Sequence, residues 1–93
     1  MANRNPLEMK KQILQALSNK SLTYAQLEKK VNSNWKTIRS HCMELEVFNC
    51  VEAKEMKSHL KNNKPYTEIS ITKQGIDMLR KLEKLPLEKL YAD

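Results

Sequence analysis

A single glycine, Gly75, serves the whole 93-residue chain. A P-loop, a dinucleotide-binding G-x-G-x-x-G turn and a GXXG backbone clamp each need more than one, because the chain must reach positive φ or approach a phosphate closely. Nucleotide-hydrolysing and dinucleotide-dependent enzymes of those types are therefore excluded. Length points the same way. A chain of 93 residues makes one small domain, with little room for both a core and a buried catalytic cleft.

Composition removes other classes. The apolar runs extend only a few residues, so no membrane span is expected. Residues 1–6, Met-Ala-Asn-Arg-Asn-Pro, lack an apolar core and do not read as a signal peptide. Two cysteines without such a signal do not make a secreted disulfide framework, which places the chain in the cytoplasm. Seventeen Lys plus Arg against eleven Asp plus Glu give a net charge of +6. That excess points to an acidic partner such as nucleic acid.

Helical signals come first along the chain. Asn5 suits an N-cap, Pro6 the first helical position, and Glu8 lies three after the cap. Leu7, Ile13, Leu14 and Leu17 then form a stripe, with Met9 beside it and Lys10, Lys11 and Gln12 off it. A capping box, Thr23-x-x-Gln26, opens a second helix whose inward face is Tyr24, Leu27 and Val31. Asn32-Ser33-Asn34 breaks it, and Asn34 caps a third. There Ile38, Cys42 and Leu45 face inward, and Trp35, Lys36, Arg39, Ser40 and Met43 fall on the other side. Asn49 ends this helix in the left-handed conformation that Gly or Asn accepts most readily.

The pattern then changes to strands over 51–58 and 66–71, the second alternating through Thr67, Ile69 and Ile71. A polar tip with Asn62-Asn63 and Pro65 joins them. One very short strand is expected at Ser21-Leu22. Thr72 caps a last helix carrying Ile76, Leu79, Leu82 and Leu85; Pro86 interrupts it, and Leu87, Leu90 and Tyr91 continue the apolar pattern. Residues 1–93 thus read as one α+β domain, with its core over about 5–85 and a C-terminal extension over 86–93. Two short helices joined by a three-residue polar turn make a helix-turn-helix, and the hairpin after them makes it winged. The expected architecture is a three-helix bundle with a two- to three-stranded β-hairpin wing and a longer C-terminal helix.

Four stretches in this order resemble the small winged helix-turn-helix DNA-binding proteins of archaea and their viruses, related to MarR-type and ArsR-type transcription regulators. They are Ser21 to Val31, the second helix; Asn34 to Cys42, the start of a recognition helix; Glu44 to Val51, its exit; and Ile71 to Gly75, which leads into the last helix. The resemblance spans roughly residues 7–85. Two departures stand out: Asn49 replaces the usual Gly, and the wing carries no Arg at its tip.

The resemblance implies that the third helix enters the major groove of double-stranded DNA. On this chain that points to Trp35, Lys36, Thr37, Arg39 and Ser40. Arg39 suits bidentate pairing with guanine O6 and N7. Trp35 either meets a base or braces the turn against the first or second helix, and the size of its ring favours bracing. Lys61 and Lys64 flank the wing tip, and Lys29 and Lys30 could touch the DNA backbone. No catalytic residue, metal or cofactor is expected. The order His41-Cys42-x7-Cys50-x8-His59 lacks the close Cys-x2-Cys pair of structural zinc sites, so both cysteines read as buried free thiols. His41 points about 100° away from Cys42 round the helix, which leaves no nucleophile–base pair.

Surplus leucines on the last helix, with Met9 on the first, point to a homodimer reading two half-sites. The function expected is a transcription regulator. Two alternatives are a non-specific architectural DNA binder and a winged-helix protein-interaction module. Operator, target genes, effector and direction of regulation are not written in the sequence.

Overall fold

The structure, a computed structural model, describes residues 5–57 and 65–85. Its elements run α1 (Pro6–Leu17), β1 (Leu22–Thr23), α2 (Tyr24–Val31), α3 (Trp35–Val47), β2 (Val51–Met56), β3 (Tyr66–Ile71) and α4 (Lys73–Lys84). The expected order of three helices, a hairpin and a final helix is the order seen.

Local chemistry fixes most boundaries. Asn5 Oδ1 accepts from the Glu8 amide at 2.9 Å and starts α1. Thr23 and Gln26 close the reciprocal capping box of α2. Asn34 Oδ1 accepts from the Thr37 amide at 2.9 Å. Asn32 and Asn49 hold φ of 58° and 63°, the left-handed turns that end α2 and α3. At Asn49 the Cys50 amide reaches back to the Leu45 carbonyl at 2.8 Å and the Asn49 amide to Glu46 at 2.9 Å. That pair is the Schellman closure, with buried Leu45 and Cys50 making its apolar contact.

The sheet order is β1-β3-β2, all antiparallel, with Leu22 opposite Ile69 and Ala53 opposite Ile69 on the other side. The very short strand pairs at Leu22–Thr23, one residue later than expected. Strand β2 ends at Met56 rather than Ser58, a position outside the described residues.

One core joins every element. It contains Met9, Ile13, Leu14, Leu17, Leu22, Leu27, Val31, Ile38, Cys42, Leu45, Cys50, Val51, Ile69, Leu79 and Leu82. Three expectations about faces are corrected. Met9 is core rather than spare surface, Lys10 is buried rather than off the stripe, and Leu7 is exposed. The inward arc of α1 is therefore rotated toward positions 9, 10, 13, 14 and 17, because α3 packs on that side and supplies partners for Lys10.

Gly75 acts by close approach. It lies in the first turn of α4, where a Cβ would overlap the Cys50 carbonyl oxygen and come within 2.7 Å of Ile71 Cγ1. That carbonyl also accepts from the Thr72 amide at 3.0 Å. The lone glycine therefore lets α4 seat directly on the junction between α3 and β2.

Candidate nucleic-acid interface

Helix α3 is anchored by Ile38, Cys42 and Leu45, which are buried, and it turns its opposite side to solvent. Trp35, Lys36, Arg39 and Ser40 are exposed there and Thr37 is half-buried. These five positions share the N-terminal half of one helix, as the sequence implied.

Two flanks of α3 are built differently. On the flank toward α2, the Arg39 guanidinium carbon lies 4.9 Å from the centre of the Trp35 ring and 5.2 Å from that of Tyr24. Both distances fit cation–π contact. Trp35 is 50% exposed. The expectation that it braces the turn against α1 or α2 is corrected: its ring meets Arg39, and Arg39 in turn meets Tyr24 of α2. Burial above all raises the pKa of the Tyr24 hydroxyl, while the Arg39 charge acts against it, and the ring is neutral at physiological pH. Among the described residues no carboxylate pairs with Arg39.

On the flank toward α1, buried Lys10 donates to His41 Nδ1 at 3.0 Å and to Glu44 Oε1 at 3.1 Å. Donation to Nδ1 fits a neutral imidazole. Burial first, and then the Lys10 charge, lowers the His41 pKa, while Glu44 acts against them. The hydrogen bond from Lys10 and its charge lower the Glu44 pKa.

Lys29 and Lys30 sit apart from this helix face. With Lys20, Leu22 and Gln26 they line a shallow groove on the outer side of α2. Lys61 and Lys64 lie outside the described residues. Cys42 and Cys50 are buried free thiols. Burial pushes the Cys42 thiol up to about 12 and raises that of Cys50, the reverse of what a nucleophile or metal ligand needs. Among the described residues no group of three or more His, Cys, Asp or Glu side chains could hold a metal ion, and no helix is long and apolar enough to cross a membrane.

Sequence reasoning missed two contributors. Tyr24 was read as core-facing only, and its edge toward Arg39 depends on how α2 meets α3. Val47 and Phe48, 79% and 69% exposed, extend an apolar surface from Met43 at the C-terminal end of α3. Met43 and Val47 stand four apart in α3, a spacing that shares one helix face, whereas Phe48 lies past the last turn.

Neither a family model nor a curated protein sequence matches the chain. Solved structures do. The transcriptional regulator BldR from Sulfolobus solfataricus superposes with a TM-score of 0.68, covering 82% of this chain and 52% of that one at 18% identity. The fold is a winged helix. The adhesin competence repressor AdcR from Streptococcus pyogenes gives 0.66, with 81% and 53% covered at 16% identity. A variant of ZitR from Lactococcus lactis, solved in complex with DNA, gives 0.62, with 77% and 47% covered at 15% identity. This winged helix therefore spans about half the length of the structures it matches.

Proposed function

We propose that this winged helix is a DNA-binding transcription regulator that works without an enzymatic step. Helix α3 enters the major groove, and the basic hairpin, with Lys61 and Lys64 toward its tip, lies on the backbone or in the minor groove. The observation that carries this reading is the solvent face of α3, where exposed Lys36 and Ser40 flank an Arg39 with no carboxylate partner among the described residues. A helix N-terminus also favours an anion. The superposed structures named as regulators, one of them bound to DNA, support the same reading. Lys29 and Lys30 add charge on the outer side of α2, where backbone contacts would form.

We further propose a homodimer through the first and last helices. Met9, Leu79 and Leu82 are taken up by the core, so the apolar positions left for it among the described residues are Leu7 and Ile76, each 39% exposed. A second reading, a protein-interaction module, is favoured by the exposed Met43, Val47 and Phe48.

Fluorescence anisotropy with a labelled duplex at increasing salt separates the two. Several phosphate contacts predict that log K falls with log salt at about −0.9 per contact. Absence of duplex binding, or binding indifferent to salt, would overturn the DNA reading and leave the interaction module.

A further inference from the structure

We propose that Tyr24 and Trp35 are positioning residues, which hold the Arg39 guanidinium as the reader of one guanine in the major groove. This rests on the DNA reading above and adds to it a mechanism of base choice.

Several observations converge. Arg39 is long and exposed, and a free arginine would sample many rotamers. Here two rings bear on it from within about 5 Å, one from α2 and one from its own helix. Trp35 remains half exposed, so the contact with Arg39 is what the ring gains at that place, rather than burial in the core. Tyr24 is half-buried and packed against the core, which gives the stack a fixed base.

The chemistry favours a base edge over a phosphate. A phosphate accepts any nearby cation, and the exposed Lys36 supplies one on the same face. The guanidinium carbon lies over both rings, and ring contact restricts the side chain without supplying a carboxylate or carbonyl acceptor for its N–H donors. Those donors are the fork that a bidentate bond to guanine O6 and N7 uses. No carboxylate among the described residues competes for those donors. The ordered fork also loses less freedom on binding than a mobile one.

The Lys10 cluster on the other flank shows the contrast. There the cation is consumed by His41 and Glu44, with Nζ donating to both. Arg39 is kept in place by groups that leave its hydrogen-bonding capacity unspent.

The test begins with a duplex enriched by the unaltered protein from a randomised library. Each guanine in it is then changed to adenine, with the partner strand changed to match, and the affinity ratio is measured at one salt concentration. Arg39→Ala should collapse that ratio at one position, by roughly tenfold or more. Trp35→Leu and Tyr24→Leu should each lower the ratio at that same position by about two- to fivefold, weakening the guanine duplex more than the adenine duplex. Trp35→Phe and Tyr24→Phe keep a ring and should restore it. In the Arg39→Ala background neither leucine substitution should change the ratio further. Thermal melts check folding, and the exposed Trp35 carries the test if Tyr24→Leu unfolds.

Trp35→Leu weakening both duplexes alike, leaving the ratio unchanged, or acting equally without Arg39 would each overturn the positioning role. An enriched site whose guanine ratio ignores Trp35 removes this inference alone. A library from which the unaltered protein enriches no sequence removes the DNA reading and this inference together.

Discussion

The two flanks of α3 each bring a cation against the same helix, and they treat it in opposite ways. Toward α1, Lys10 is 9% exposed and its ammonium is bonded to His41 and Glu44. Toward α2, Arg39 is exposed and rests on Trp35 and Tyr24. A cation satisfied inside the chain ties two helices together and has little left to offer a partner. A cation steadied by aromatic faces keeps its donors, so it remains available to an anion or a base edge. On the reading proposed above, the first flank holds the fold and the second serves recognition.

The largest expected effect removes both flanks at once. Gly75→Ala would force a Cβ into the Cys50 carbonyl, and backbone cannot yield there as a side-chain tip would. A loss of about 3 kcal/mol of stability is expected, read by denaturant unfolding. A change within about 0.5 kcal/mol would show that the α3–β2 junction adapts, and that the seating of α3 does not depend on this glycine.

The next effect divides the flanks. Arg39→Ala should cost about 1–3 kcal/mol of base discrimination in duplex titrations. Its unfolding free energy should stay within about 0.5 kcal/mol, the range of an exposed substitution. A large fall in stability would move Arg39 to the structural side of the comparison.

Acid sharpens the same division. The folded-state pKa of His41 lies below its ordinary 6.5, so the unfolded chain binds the extra proton more readily. Stability should therefore begin to fall as pH drops through about 6.5, and keep falling until the folded-state pKa is passed. Glu44 is also lowered, from an ordinary 4.5, so its contribution is present above that value and is lost as pH falls through the folded-state pKa. Unfolding curves for His41→Asn should be flatter between pH 7 and the acid end of the first window.

The smallest effect is a shift in one titration. Lys10→Met keeps the stem and removes the charge that disfavours the imidazolium, so the His41 pKa should rise in an NMR titration. An unchanged or lower value would mean that burial alone sets it and that Lys10 is a bystander.

What could be read from sequence followed the range of the interactions. Asn5, Thr23 with Gln26, Asn34 and Thr72 cap bonds that close within three residues, so helix starts were legible in the local pattern. Gly75 stands out in the sequence as the lone glycine, but the Cys50 carbonyl it must clear lies 25 residues away and only the seating of α4 brings it near. Lys10 was misplaced because its partners lie 31 and 34 residues away, and only the packing of α1 on α3 brings them near. Arg39 is exposed, as its place on the outer face of the third helix implies, but its contact with Tyr24 depends on the angle of the helix-turn-helix. The same dependence misdirected Trp35, whose size suggested burial while a neighbouring guanidinium gave it a partner at the surface.

NMR shift mapping of the protein with a duplex at low and high salt tests the division of α3 most directly. The account predicts amide and side-chain shifts centred on Trp35, Lys36, Arg39 and Ser40, with Tyr24 following and Lys10 and Glu44 unmoved, and their loss as salt rises. Shifts centred instead on Lys10 and Glu44, on Val47 and Phe48, or nowhere in the protein would contradict it.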